Sequence, residues 1–141
     1  TILPRVEQRS AAASSSGAMP SPGMLERHYS PRAPLTVYDG DAVARLVRDA
    51  CAALTRGDRV GIMAADEDRE ALAEVERHGP RAAVIYLGSQ RDLAAIAARL
   101  YAAMRELDAS GVDRILARSV VGNDGLAVAI RDRLRRAGVR P

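Results

Sequence analysis

The chain has 141 residues, of which 48% are hydrophobic, and its charges nearly balance at +3 although the sequence pI is about 9.6. This length allows one well-buried core with extensions, so we expect a single globular domain. All 21 basic residues are arginine, and they are mixed with 18 acidic residues, which argues against a dedicated nucleic-acid surface. The single cysteine, Cys51, excludes an internal disulfide and a cysteine-based zinc cluster. No apolar run approaches the ~20 residues of a membrane-spanning helix.

Residues 1–20 are predicted to be a flexible N-terminal remnant. The first ten residues lack the apolar core of a signal peptide. Residues 11–18, AAASSSGA, are small and low in complexity, which is typical of a linker. Because the chain begins without Met, we interpret it as a fragment or a processed piece. Ordered structure is expected from about Ser21.

Residues 21–35, SPGMLERHYSPRAPL, combine conformational constraint with reactive side chains. Prolines such as Pro22 and Pro31 fix φ and remove N–H donors, and Gly23 permits a close approach of the backbone. Three neighbouring side chains have different hydrogen-bonding characters: Arg27, His28 and Tyr29. The pattern predicts a functional loop rather than a helix or a strand.

From Leu35 onward, short apolar runs alternate with helical periodicity. This pattern predicts βαβ units in a small three-layer α/β domain, with a mostly parallel sheet, over residues 35–141. The predicted strands are residues 35–38, 59–64, 82–87 and 114–117. The predicted helices are one capped by Asp41 and ended by Gly57, one over residues 66–78, one started by a capping-box-like pair of Ser89 and Asp92, and one over residues 124–137.

Ligands of a parallel α/β sheet bind beyond the carboxyl ends of its strands. The corresponding turns are residues 38–40, 64–66, 87–89 and 119–125, and none contains a dinucleotide-binding or P-loop motif. Gly88-Ser89 could hold an anion but is also an ordinary helix start. We interpret the acidic triplet at residues 66–68 as helix capping rather than as a metal site. The arginines of the last helix are open to an RNA-binding interpretation, although a packed and dipole-complementing face is the simpler one.

The segments of this domain predict neither a catalytic residue nor a metal site. No nucleophile with a base, no pair of carboxylates and no cluster of metal ligands can be assembled from them.

Three segments resemble, in the same order, parts of long-form threonylcarbamoyl-AMP synthase. They are the linker at residues 21–35, RLYAAMRELDASGVDRILA at residues 99–117, and GLAVAIRDRLRRAG at residues 125–138. In that family a YrdC-like catalytic domain precedes the linker and a Rossmann-like C-terminal domain. Three sites depart from the family's pattern: Ala127 replaces a glycine, Leu25-Glu26 replaces a more basic or aromatic pair, and Arg118 stands where an acidic residue is usual.

The resemblance implies that the chain holds the linker, residues 21–34, and the C-terminal domain of an enzyme whose catalytic domain is missing. The whole enzyme would be a cytoplasmic, ATP-binding nucleotidyltransferase of tRNA modification. It would convert L-threonine, bicarbonate and ATP into threonylcarbamoyl-AMP and pyrophosphate with the help of Mg²⁺. The implied partners are the YrdC-like domain and the tRNA-modification machinery, with no membrane. The piece itself would act as a lid and a regulatory or docking module, inactive alone.

The resemblance also suggests roles for the linker residues. Arg27 would bind a phosphate or carboxylate, His28 would supply an orienting hydrogen bond, and Tyr29 would contact the nucleotide through its hydroxyl. The framework of the linker would consist of Ser21, Pro22, Gly23, Met24 and Pro31. The structural alternative is a linker that merely attaches to its own domain. The alternative for the whole chain is a free-standing Rossmann-like module that binds a nucleotide or RNA.

Overall fold

The computed structural model of the protein describes residues 29–138, in which four strands alternate with four α-helices. The strands are β1 (Leu35–Tyr38), β2 (Val60–Ala64), β3 (Ala82–Tyr86) and β4 (Arg114–Arg118). The helices are α1 (Val43–Thr55), α2 (Arg69–Glu76), α3 (Leu93–Ala109) and α4 (Gly125–Gly138). The predicted N-terminal remnant and most of the predicted linker lie outside the described residues, so their boundaries stay predictions.

The four strands form one sheet in the order β1-β4-β2-β3, and every neighbouring pair is parallel. Leu35 pairs with Ile115, and Val60 pairs with both Arg114 and Ala82. Each connection between consecutive strands passes through a helix, as parallel pairing requires. The predicted fold class is confirmed, and the described sheet is wholly rather than mostly parallel. All four carboxyl ends therefore meet at one edge.

Helices cover both faces of the sheet and create two hydrophobic cores. Alternate residues of a strand point to opposite faces, so Ile115 and Ala117 pack with α3 and α4 while Leu116 packs with α1 and α2. Fully buried aliphatic side chains fill both layers, among them Ile62 and Met63 of β2. These cores place the sheet between two pairs of helices, as the three-layer prediction requires.

Gly61 permits a close approach of helix and sheet. A Cβ built on this residue of β2 would lie 3.1 Å from Cδ2 of Leu107, which is fully buried on α3. A larger residue would require the buried Leu107 side chain to shift by a few tenths of an ångström or α3 to move outward. The glycine thus sets the spacing between α3 and the centre of the sheet.

The predicted helix over residues 66–78 is interrupted at both ends. The acidic triplet forms a 3₁₀ turn (Asp66–Asp68) before α2, and a second 3₁₀ turn (Gly79–Arg81) carries Pro80. Gly79 has φ +87°, which ends the regular helix. The predicted capping-box-like pair of Ser89 and Asp92 before α3 is also wrong, because the two side chains do not share the cap. Asp92 alone is the N-cap and accepts from the Ala95 N–H at 3.2 Å.

None of the helices described within residues 29–138 is long and apolar enough to cross a membrane.

Candidate functional site

Asp108 fastens the segment that leads into β1. It lies in the last turn of α3, and its Oδ1 accepts hydrogen bonds from the backbone N–H groups of Arg32 and Ala33 at 3.1 and 3.2 Å. A carboxylate at the C-terminal end of a helix faces the negative pole of the helix dipole, so it needs nearby donors. The two N–H groups supply them, and they fix the direction of the chain just before β1.

Tyr29 reaches the same anchor through its side chain. Its ring packs edge-to-face against Tyr101 of α3 with 5.1 Å between ring centroids, and its hydroxyl donates to Asp108 Oδ2 at 3.5 Å. Burial, reinforced by the neighbouring Asp108 carboxylate, raises the pKa of Tyr29. The hydroxyl contact is at the long limit for a hydrogen bond, so it is weak. The described end of the linker is attached to its own domain.

The other predicted linker residues are only partly within the described region. Pro31 is buried and precedes the anchored residues Arg32 and Ala33, and its framework role stays a prediction. Arg27 and His28 lie outside the described residues, and so do the framework residues Ser21, Pro22, Gly23 and Met24. The predicted contacts of Arg27, His28 and Tyr29 with substrate therefore stay predictions.

An almost buried ion pair joins three turns at the carboxyl edge of the sheet. Arg118, at the end of β4, approaches Asp68 Oδ2 with its Nε at 3.2 Å. The same guanidinium donates through Nη1 to the backbone carbonyl oxygens of Gly40 and Ser119. Asp68 in turn accepts from the Ala65 N–H at 3.1 Å. Arg118 thus ties the turns after β1, β2 and β4 to one another.

A second polar cluster joins the turns after β2 and β3. Glu67 accepts from the Ser89 hydroxyl at 2.6 Å and from the Gln90 N–H at 2.8 Å. The Ser89 hydroxyl bond, followed by the Gln90 N–H bond, lowers the pKa of Glu67. The side-chain amide of Gln90 donates to the Ser119 carbonyl oxygen and accepts from the Val121 N–H, both at 3.3 Å. The Ser89 hydroxyl is therefore already hydrogen-bonded to a carboxylate.

The acidic triplet does not assemble a metal site. Glu67 and Asp68 point to different partners in the two clusters above, and within residues 29–138 no group of three His, Cys, Asp or Glu side chains could hold a metal ion.

Sequence reasoning missed three side chains that hold the loops of the domain in place. Asp108 belongs to the RELDASG stretch that carries the resemblance, yet the sequence assigned it no role. Arg118 was noticed only as a departure from the family's pattern. Gln90 gave no signal at all, because its partners are backbone groups about thirty residues away in the chain.

Comparison with known proteins settles the family. The family model described as "Threonylcarbamoyl-AMP synthase, C-terminal domain" matches residues 2–138. The chain belongs to this family. The Pyrococcus abyssi threonylcarbamoyl-AMP synthase is 35% identical over 123 residues, and its Bacillus subtilis counterpart is 33% identical over 121. Each match covers 83% of this chain but only 31% of the relative, so the chain spans less than a third of either protein.

Solved structures agree with this membership. The crystal structure of P. abyssi Sua5 complexed with L-threonine superposes with a TM-score of 0.61 at 26% identity, over 92% of this chain and 34% of that one. A P. abyssi Sua5 variant, in which a neighbouring histidine and tyrosine are replaced by alanine, gives 0.58 at 29% identity, over 77% and 28%. The C-terminal Sua5 domain from Pyrococcus horikoshii gives 0.52 at 24% identity, over 74% and 91%, and supports the fold alone.

Proposed function

We propose that this chain is the C-terminal, non-catalytic part of a threonylcarbamoyl-AMP synthase that acts in tRNA threonylcarbamoyladenosine synthesis. The membership of the chain in the C-terminal domain family carries the proposal. The relatives are named as the synthase, and one solved relative is complexed with L-threonine. The whole protein would be a transferase using threonine, bicarbonate and ATP, with its catalytic groups on a YrdC-like domain and its product passed to the tRNA-modification machinery.

The reaction explains why such an enzyme would need a lid. The threonine amine and bicarbonate condense to a carbamate with loss of water, and a carbamate oxygen then attacks the α-phosphorus of ATP while the bond to the pyrophosphate leaving group breaks. The threonylcarbamoyl-AMP that results is labile toward water. Phosphoryl chemistry of this kind depends on positioning and on neutralising negative charge, and a closing segment can assist both while it excludes water.

The anchored linker supplies the physical basis for a lid role. Asp108 holds the backbone at Arg32 and Ala33, so the residues before them extend from a defined point of the domain. In our proposal Arg27 neutralises a phosphate or carboxylate, His28 orients it, and Tyr29 exchanges its weak bond to Asp108 for a contact with the nucleotide. His28-Tyr29 is an adjacent histidine–tyrosine pair, the kind of pair replaced in the P. abyssi variant.

The lid proposal is tested by reconstitution. The chain would be mixed with a separately produced YrdC-like domain, and ATP- and threonine-dependent pyrophosphate release would be measured. We expect Arg27→Ala and Asp108→Ala each to lower the rate by about tenfold or more, because each removes charge-assisted hydrogen bonds. Tyr29→Phe should have a smaller effect in the same direction.

Asp132→Ala on α4 is the matched control, because it removes an exposed carboxylate far along the chain from the linker. It should leave the rate unchanged. Full activity of the catalytic domain without this chain, or equal rates for Arg27→Ala and the control, would remove the basis for a lid. An in-frame YrdC-like coding region upstream of this segment would independently support the two-domain arrangement.

A further inference from the structure

An open groove of about 380 Å³ lies between the turn after β1 and the loop from β4 to α4. Asp39 and Gly40 form one wall, and residues 120–123 form the other. Arg131 and Arg135 of α4 also line the groove. The chain leaves β1 toward α1 on one face of the sheet and leaves β4 toward α4 on the other. A crevice between strands whose connections diverge in this way is the usual ligand position in an open α/β sheet.

Neither of the two arginines pairs with an acidic side chain within residues 29–138, so their guanidinium groups can donate hydrogen bonds to a ligand. Arg131 is half-buried and held in place by donating through Nη1 to the Val120 carbonyl oxygen at 3.2 Å. None of its remaining N–H groups is both buried and without a partner, so they are not enclosed in the core. Arg135 is exposed one turn further along the helix. The nearest carboxylate on α4, Asp132, pairs instead with Arg136.

The rest of the groove is not simply basic. Asp39 presents a carboxylate on the opposite wall, and Val121, an apolar side chain that is 50% exposed, also lines the groove. Arg118 fixes the wall that carries Asp39, because it binds the carbonyl oxygen of Gly40 and is itself neutralised by Asp68. The groove thus combines two cations, one acceptor for hydroxyl groups and one apolar contact.

We infer that this groove binds a nucleoside monophosphate, separately from the nucleotide that the missing catalytic domain would use. The phosphate would lie against Arg131 and Arg135, since guanidinium groups bind phosphate oxygens in pairs. Asp39 would accept hydrogen bonds from the ribose hydroxyls, and Val121 would contact the base. The groove has room for a small ligand, whereas the carboxylate in its wall disfavours a polyanionic RNA backbone.

The test is binding of AMP to the purified 141-residue chain, measured by calorimetry and by two-dimensional NMR, with inorganic phosphate and adenosine as separate probes. AMP should bind more tightly than either. Arg135→Gln should weaken AMP and phosphate binding by about tenfold, the loss expected when a charged hydrogen bond disappears. Arg136→Gln, on the next residue but outside the groove, should change neither affinity. Asp39→Asn should weaken AMP binding while leaving phosphate binding intact.

Each other outcome overturns the inference. The inference fails if AMP does not bind at millimolar concentration. It also fails if Arg135→Gln and Arg136→Gln lose equal amounts of AMP affinity. An unchanged affinity for AMP in Asp39→Asn refutes the contact between Asp39 and the ribose, and equal affinities of the unaltered chain for AMP and for phosphate leave only a bare anion site and refute the nucleoside part. Tight binding of single-stranded RNA that is weakened equally by all the α4 arginine variants identifies an RNA face instead. Because this assay contains no catalytic domain, its outcome is independent of the lid proposal.

Discussion

Replacing Asp68 with alanine should strongly destabilise the carboxyl edge of the sheet. The side chains of Asp68 and Arg118 are only 5% and 11% exposed, and their charged atoms lie 3.2 Å apart. Removing one member of a buried pair leaves an uncompensated charge, which typically costs about 3–5 kcal/mol. The Ala65 N–H would lose its acceptor as well. Because Arg118 retains the carbonyls of Gly40 and Ser119, we expect a loss in the lower part of that range, about 3 kcal/mol.

A double-mutant cycle with Arg118→Met separates the pair from its surroundings. Methionine keeps much of the aliphatic volume without the charge, so the double variant should be more stable than the two single losses predict, by at least about 1 kcal/mol. The free energy of unfolding would be measured by urea titration followed by circular dichroism. Domains of this kind have about 5–15 kcal/mol of stability, so the single variants should still fold.

The exposed pair of Asp132 and Arg136 is the control for this cycle. Its charged atoms are equally close, at 3.1 Å, but the side chains are 43% and 50% exposed. Its coupling energy should stay below about 0.5 kcal/mol, because water and salt screen exposed pairs. Additive losses at Asp68 and Arg118, within about 0.5 kcal/mol, would refute the reasoning, and so would a coupling of equal size in the exposed pair.

Two further predictions concern a glycine and the cysteine. Gly61→Ala should cost about 1–3 kcal/mol in the same urea titration, because its Cβ would meet Leu107. Gly125→Ala, where nothing lies within 4 Å, should be neutral or slightly stabilising, and equal losses would contradict the packing argument. Burial first, and the Glu74 carboxylate second, raise the pKa of the Cys51 thiol, so its alkylation by iodoacetamide should accelerate only at a higher pH than that of a free thiol. Glu74→Gln should shift this profile to lower pH, and an unchanged profile would exclude the carboxylate as a cause.

The positions of the strands and helices could be predicted because they depend on local periodicity. Apolar residues at the spacing of a helix or a strand appear in any short window of the chain. The order of the strands could not be predicted in this way, because β4 enters between β1 and β2 through contacts that are distant in sequence. The role of Asp68 was hidden for the same reason. Its sequence neighbours indicate a helix start, whereas its partner Arg118 lies 50 residues away.

The candidate site shows a similar division. The edge at which the groove lies could be identified from the sequence, since parallel strands end together and the turns after them were located there. The hydrogen bonds at that edge could not be predicted, because bonds from side chains to distant backbone groups leave no pattern in the sequence. Asp108 is the clearest case. A carboxylate near a helix end looks unremarkable until the N–H groups of Arg32 and Ala33 are placed against it.

The anchoring of the linker by Asp108 has a consequence for synthesis on the ribosome. Arg32 and Asp108 are 76 residues apart, and within residues 29–138 the strand that follows the anchor, β1, pairs with β4 alone. An emerging chain therefore makes its first strand long before that strand has a partner, and long-range pairing of this kind is slow. The linker can acquire a fixed direction only after nearly the whole domain has been translated and folded. A lid attached in this way would work only on a finished protein.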